Sequence, residues 1–274
     1  MYPTTFCCIQ FQILKSNNKQ LLRFSRCLAN YIFFNLKISL WGNRNDLSFF
    51  AGSPVEDTIK STNGCLDNLE HLKSNIIVNH SEDVWNYFDQ SPKNGENRIL
   101  TIILDNGALE LISDLCLATF CSTHNIFSHV RFYVKRIPWF VSDVTAKDFR
   151  WTLEHLNGSD SSPVLQQLSA KWLHFLDTRQ WEVVEEEFWT LPLPYSAMKK
   201  EDKALYEKLS HSQLIIFKGD LNYRKLGADL HWPTTTSFNE FLQGLYYHYY
   251  YCYLHVLNGL LIISYGTQRF FESF

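Results

Sequence analysis

"ILTIILDNGALE", Ile99 to Glu110, runs six apolar or β-branched residues straight into a carboxylate, an amide and a glycine. A short continuous run of this kind reads as a strand buried on both faces. Asp105-Asn106 before Gly107 then has two readings. It is either ordinary turn chemistry or a site at the carboxyl end of a strand. The following "GALELISDLCLATFCS" carries Ala108, Leu111, Ile112, Leu115 and Ala118 at helical spacing, so strand gives way to helix.

The same alternation continues down the chain. "HVRFYVKRIPWFVSD" (His129 to Asp143) places Val130, Phe132 and Val134 on one side and reads as a strand ending at Asp143. "TAKDFRWTLEHL" has Thr145 as the N-cap of a helix, and "PVLQQLSAKWLHFLD" predicts another. "SQLIIFKGDLNYRKL" repeats the opening pattern, with Leu214 to Phe217 running into Lys218, Gly219 and Asp220. Strands alternating with helices imply an α/β fold with a largely parallel sheet. In such sheets ligands sit outside the carboxyl ends of the strands, which would bring Asp105-Asn106, Asp143 and Asp220 to one edge. Carboxylates with an amide oxygen make a hard, oxygen-only site suited to Mg²⁺ or Mn²⁺ rather than zinc. Lys218, Arg224 and Lys225 surround Asp220 and Asn222 with the charge that a phosphoryl group requires.

Composition removes other classes. With 46% hydrophobic and 19% charged residues the chain is globular, and a net charge of -3 gives no basic surface for nucleic acid. The odd set of seven cysteines (Cys7, Cys8, Cys27, Cys65, Cys116, Cys121, Cys252) contains no CxxC pair, which reads as free thiols in a reducing compartment. GxGxxG after a strand, GxxxxGK[ST] and GxSxG are missing, so dinucleotide, P-loop and hydrolase-elbow chemistries lack their motifs. The ten histidines are scattered and read mostly as surface or satisfied core positions rather than a ligand set, with His129 and His231 the least dismissible. Glu185, Glu186 and Glu187 read as a solvated helix face, and Trp151, Trp172, Trp181 and Trp189 as core. Met1 to Asn45 carries basic but no acidic residues, a pattern only partly like a transit peptide. The tyrosine-rich "LYYHYYYCYLHVLNGLLIISYG" holds His248, His255 and Asn258 and lacks basic flanks, which argues against a membrane span.

Leu21 to Leu40 reads as helical, Ser81 as the N-cap of a helix, and "SPKNGENR" (Ser91 to Arg98) as a boundary. The expected division is a mainly helical region over 1–95 (1–35 divergent), an α/β domain over 96–245 and a divergent tyrosine-rich tail over 246–274.

"LDNGALELISDLCLA", "VKRIPWFVSDVTAKDFRWTLE", "FWTLPLPY" and "LIIFKGDLNYRKL" together resemble the metal-dependent damage-control phosphatases. The branch is the one also called acidic residue methyltransferase 1 or protein-glutamate O-methyltransferase, and the resemblance runs from about Leu40 to about Gly244. It implies a Rossmann-like α/β/α sandwich with a helical N-terminal region. It also implies a divalent cation (Mn²⁺ or Ni²⁺, with Co²⁺ or Mg²⁺ as alternatives) and hydrolysis of sugar phosphates such as fructose 1-phosphate and fructose 6-phosphate. Carried over by motif, Asp105, Asn106 and Asp143 ligate the metal. Glu110 and the run Asp220, Leu221, Asn222, Tyr223 and Arg224 contact substrate beside those three. Asp105, Asn106, Asp143 and Asp220 form the catalytic set, with Lys218 and Arg224 neutralising charge and Asp220 assigned to proton transfer or nucleophilic attack. The expected partner is a phosphorylated small molecule, with neither nucleic acid nor membrane, in the cytoplasm or alternatively the nucleus.

Two departures bear on this. The family reads Asp-Asn-Ala-Gly where this chain has Asp105-Asn106-Gly107-Ala108, and the Arg-Thr-x-Lys motif expected after Gly244 does not occur. The expectation is a chain truncated before the family's last strand and phosphate lysine, with an open sheet edge there and weak or no activity. The alternatives are an S-adenosylmethionine-dependent glutamate carboxyl methyltransferase, for which a glycine-rich loop is missing, and a non-catalytic remnant of the fold.

Overall fold

The computed structural model describes residues 98–242 except Ser159 and Thr234, together with Ser39, Glu82, Trp85 and the backbones of 76–79, 251–257 and 260–266. Seven strands among these form one sheet in the order β1-β7-β6-β5-β2-β3-β4. They are β1 (Ile76–Asn79), β2 (Ile99–Ile103), β3 (His129–Lys135), β4 (Trp181–Glu186), β5 (Leu214–Lys218), β6 (Tyr251–Leu257) and β7 (Leu260–Gly266). The central run β6-β5-β2-β3-β4 is parallel throughout, whereas β7 pairs antiparallel with β6 and β1 runs parallel to β7. The fold class is therefore α/β, a Rossmann-like α/β/α sandwich, as the strand–helix alternation implied.

Period-two alternation divides the core into two layers. Leu100, Ile102 and Leu104, with Val130, Phe132, Val134, Leu214 and Ile216, pack on one side. There they meet α1 (Ala108–Thr123), α2 (Ala146–Leu156) and α3 (Pro163–Asp177) through Leu111, Leu115, Phe149, Leu153 and Trp172. Ile103, Tyr133, Ile215 and Phe217 face the other way, onto α4 (Lys203–Ser210), α5 (Gly219–Leu226) and the segment Phe188 to Met198. A strand covered on both faces has no polar side, which is why β2 and β5 read as unbroken apolar runs. Thr145 caps α2 in a reciprocal box with Asp148, as expected.

Three expectations are revised. β3 stops at Lys135 rather than at Asp143, because Pro138 lacks the N–H that a ladder needs and biases Ile137 as well. Glu185 and Glu186 lie on β4, an edge strand whose glutamates face outward, rather than on a helix. The place beside β5 is not an open edge, since β6, drawn from the tyrosine-rich stretch, pairs with it at Ile215 opposite Tyr251. Trp172, Trp181 and Trp189 are core as expected, whereas Trp151 is exposed and stacks on His155.

In the region expected to be mainly helical, Ser39, Glu82 and Trp85 are helical and Ile76–Asn79 is extended. The expected helix over Leu21 to Leu40, apart from Ser39, and the Ser81 cap lie outside the described residues, as do the 91–97 boundary and the first 38 residues. Among the described residues no helix is long and apolar enough to cross a membrane.

Candidate active site

In the parallel register Ile103 is opposite Tyr133 on one side and Phe217 on the other. Two residues further on, Asp105 is therefore level with Lys135 and Gly219, at the carboxyl edge of the sheet. Asp143 arrives by a different route. After β3 the chain doubles back through Phe140 (φ 42°) and Val141 (φ 67°), both left-handed. A β-branched residue there is a genuine outlier. The returning segment is stitched to the end of β2. Val144 N–H donates to the Asp105 carbonyl at 2.8 Å and Gly107 N–H to the Ser142 carbonyl at 2.9 Å. An antiparallel bridge sets Asn106 against Asp143.

The side chains gathered here are buried and oxygen-rich. Asp105, Asn106, Glu110 and Asp143 all lie below 8% exposure. The Asn106 amide donates to Asp105 Oδ2 at 2.8 Å and to Glu110 Oε2 at 3.0 Å. Gly219, at φ +82°, lies against the Asp105 carboxylate so closely that a Cβ there would fall 1.8 Å from Oδ2. Only glycine permits that approach. Asp220, in the first turn of α5, is exposed, and its charge reaches Asp105. Burial first, then Glu110, push the Asp105 carboxyl well above the usual carboxylate range; Lys135 opposes this, and Asp143 and Asp220 add to it.

Two buried lysines are the counter-charges. Lys218 sits between α1 and Ser39, 2.9 Å from Asp114 Oδ1 and 3.3 Å from Glu110 Oε1. It also donates to Ser39 through the carbonyl at 2.5 Å and Oγ at 2.8 Å, while the Ser39 hydroxyl donates to Asp114. Burial alone would lower the Lys218 pKa, but Asp114 and Glu110 outweigh it and hold the ammonium charged. Burial raises the Asp114 carboxyl to about 6, with Lys218 opposing. Lys135 meets Asp143 Oδ2 at 2.9 Å, an ion pair rather than an aligned hydrogen bond, and donates to the Leu104 carbonyl at 3.1 Å.

The positions expected to hold metal thus converge, while the DLNYR run divides. Asp220 and Arg224 are exposed, and Arg224 forms a bidentate pair with Asp229 at 2.9 and 2.6 Å. Leu221 and Tyr223 are half-buried, the latter stacked on Phe241. Asn222 points inward, accepting from Tyr195 O–H and donating to the Lys218 carbonyl at 2.5 Å. Lys218, expected to neutralise a substrate's charge, is instead held inside the fold. His129 is exposed at the start of β3, the opposite end of the strand from this cluster, and His231 is exposed beyond α5.

Lys135, Asp114 and Ser39 were not singled out from the sequence. A Glu110–Asp114 pair four residues apart on one helix face was the available signal for Asp114. Lys135 offered only a lysine at the end of an otherwise apolar strand, and nothing local marks Ser39.

Among the described residues no three His, Cys, Asp or Glu side chains form a ready cage for a metal ion. The expected set contains only two carboxylates, the third ligand being the amide of Asn106. That amide now turns its N–H toward the acids, and ligation through Oδ1 requires a half-turn about χ2. The donor chemistry nevertheless fits a hard divalent cation, since two carboxylates and an amide bring hard oxygen donors into one buried cluster.

The sequence model described as the damage-control phosphatase ARMT1-like domain matches residues 18–261. Damage-control phosphatase ARMT1 of Bos taurus is 40% identical over 222 residues, covering 80% of this chain and 49% of that protein. The Homo sapiens protein of the same name is 39% identical over 222 residues with the same coverage. The Xenopus laevis protein is 36% identical over 239 residues, 86% of this chain and 53% of that one. The chain spans about half the length of the curated relatives it matches.

Proposed function

The chain belongs to the damage-control phosphatase ARMT1-like family, and from that premise we propose that it is a metal-dependent phosphoric monoester hydrolase acting on sugar phosphates of the fructose 1-phosphate and fructose 6-phosphate type. The observation that carries this reading is the buried carboxylate–amide cluster of Asp105, Asn106 and Asp143 at the carboxyl edge of the sheet. These three residues hold the cation, Mn²⁺ or Ni²⁺ with Co²⁺ or Mg²⁺ as alternatives. A cation held there would supply Lewis-acid polarisation of the phosphoryl oxygens.

The protein's own groups do the rest. Gly219 keeps the Asp105 carboxylate seated by leaving no Cβ in its path. The Phe140–Val141 turn delivers Asp143 opposite Asn106. Asp220, exposed and within electrostatic reach of Asp105, takes a proton from the attacking water as the new P–O bond forms. The bond to the sugar oxygen breaks, and the leaving oxygen takes up the proton that Asp220 received, which returns Asp220 to its carboxylate. Arg224 and Tyr223 line the outer side of α5, where a sugar phosphate would lie.

The test is phosphate release from fructose 1-phosphate and fructose 6-phosphate by the purified chain with Mn²⁺. Asp105→Ala and Asp143→Ala should each reduce release by about a hundredfold or more, and EDTA should abolish it. Release indifferent to both substitutions and to EDTA would sink the metal-site reading. Transfer of labelled methyl from S-adenosylmethionine to protein carboxylates would replace it with the methyltransferase alternative.

A further inference from the structure

Among the described residues, acidic side chains outnumber basic ones at the buried site. Asp105, Glu110, Asp114 and Asp143 face Lys135 and Lys218, all below 8% exposure. Among the described residues four acidic side chains thus share two ammoniums, Lys135 with Asp143 and Lys218 with Glu110 and Asp114. The two lysines also divide the cluster. Lys218 is committed to Asp114, Glu110 and Ser39, on the side of α1. Lys135 faces the other half, where the proposed ligands Asp105 and Asp143 lie.

Comparison with a third buried lysine shows what is unusual about Lys135. Lys225 donates to the carbonyls of Phe188 at 2.8 Å, Trp189 at 3.0 Å and Leu191 at 2.9 Å. All three ammonium hydrogens are satisfied by backbone, and the side chain staples a loop to α5. Lys135 has one such carbonyl, on Leu104, and directs its remaining interaction at a carboxylate. Its main chain is fixed as well, by its N–H to the Val144 carbonyl at 2.9 Å and by a bridge to Thr145. The ammonium is thus anchored beside the strand that ends in Asp105 and beside the loop that carries Asp143.

We propose that Lys135 is the built-in counter-ion of the metal site, a positioning residue whose ammonium holds Asp143 against the end of β2 and competes electrostatically with the divalent cation for the same carboxylates. The inference rests on the metal reading above and deepens it. A buried carboxylate pair with neither lysine nor metal beside it would repel itself and drive the loop out. With Lys135 present the site is folded before metal arrives. The consequence is weaker metal binding, because a like charge stands close to the incoming one.

The experiment measures Mn²⁺ affinity, by the electron paramagnetic resonance signal of the free ion, for the full chain, Lys135→Met and Lys135→Arg. Thermal unfolding is followed in EDTA and in saturating Mn²⁺. Lys135→Met should bind Mn²⁺ about tenfold more tightly, melt lower than wild type in EDTA, and recover most of that loss in Mn²⁺. Lys135→Arg, which keeps the charge, should stay within about threefold of wild type.

Unchanged or weaker Mn²⁺ binding by Lys135→Met, with wild type binding normally, overturns the counter-ion role alone. Failure of every protein to bind Mn²⁺ overturns the metal reading and this inference with it. Should Lys135→Met not fold on expression, refolding from denaturant decides. Recovery only when Mn²⁺ is present supports the role, and precipitation both with and without Mn²⁺ refutes it.

Discussion

Replacing Gly219 by alanine tests the centre of the site without touching a titratable group. Its backbone lies at φ +82°, where an L-residue is strained, at a cost of about 1 kcal/mol. The added Cβ would meet Asp105 Oδ2 at 1.8 Å, Cγ at 2.1 Å and Oδ1 at 2.7 Å. That carboxylate is buried and cannot swing into solvent, so either it or the start of α5 must shift. Overpacking of this kind costs about 1–3 kcal/mol. Gly219→Ala should therefore lose roughly 2–4 kcal/mol, about 5–15 °C in a chain of this size. Urea denaturation with the slope held in common measures the loss, and a Mn²⁺ isotherm on the same protein should show weakened binding. Gly107→Ala is the control, since its nearest neighbour would be the Ser142 carbonyl at 3.7 Å and its φ is −69°. A cost within about 0.5 kcal/mol is expected there. Equal stability of Gly219→Ala and Gly107→Ala, with unchanged Mn²⁺ binding, would show that Asp105 is not seated against Gly219.

Ala108 has φ 53°, so Ala108→Gly should stabilise by about 1 kcal/mol in urea; any loss would mean the turn is shaped otherwise. Val141 is 90% exposed with φ 67°, and Val141→Gly should likewise gain about 1 kcal/mol, strain relief exceeding the added chain entropy; destabilisation beyond about 1 kcal/mol would refute the strain. Asp114 has its carboxyl raised to about 6 by burial, with Lys218 opposing. Between the unfolded value near 4 and about 6 the folded state holds a proton that the unfolded chain has released. Stability from this group is thus fully present below about pH 4 and is lost as pH rises through about 6. Relative to Asp114→Asn, wild type should fall by about 2–3 kcal/mol between pH 4 and pH 6.5, and parallel profiles would contradict it.

What the residues revealed in advance follows from how local each feature is. β2 and β5 were legible because burial on both faces leaves a continuous apolar run. α2 was legible because Thr145 and Asp148 cap it within four residues. β4 was not, since "WEVVEE" on a sheet edge carries outward glutamates that obey helix and strand patterns equally. Asp105, Asp143 and Asp220 are legible as acids that follow apolar runs, but such a run does not explain Asp143. It belongs to a loop that returns past Pro138, not to a strand end. The Asn106-Gly107-Ala108 order, where the family has Ala-Gly, places alanine at the left-handed position. Lys135 and Ser39 escaped because their partners are supplied by tertiary packing, 75 and 179 residues away in sequence for Ser39.

The same distinction separates chemistry from scaffold within the family-like blocks. "FWTLPLPY" places no charged side chain at the site: Trp189 and Tyr195 are buried, Tyr195 O–H reaches Asn222, and the carbonyls of Phe188, Trp189 and Leu191 hold Lys225. Asn222 in turn donates to the Lys218 carbonyl, the residue just before Gly219. These contacts form a chain of supports that fixes where α5 begins, and so where Asp220 stands relative to Asp105. Lys218 belongs to that support. Drawing its ammonium out toward a phosphate would leave Asp114 and Glu110 buried beside each other, at a cost of about 3–5 kcal/mol. Within the DLNYR run Asp220 and Arg224 are exposed and Leu221 and Tyr223 half-buried, while Asn222 is enclosed. Arg224 must give up a bidentate pair with Asp229 to reach a ligand. That exchange is inexpensive at an exposed position, so under the proposed function the cation to meet a phosphoryl group would be Arg224 on the surface of α5, because Lys135 and Lys218 are held beside the buried carboxylates.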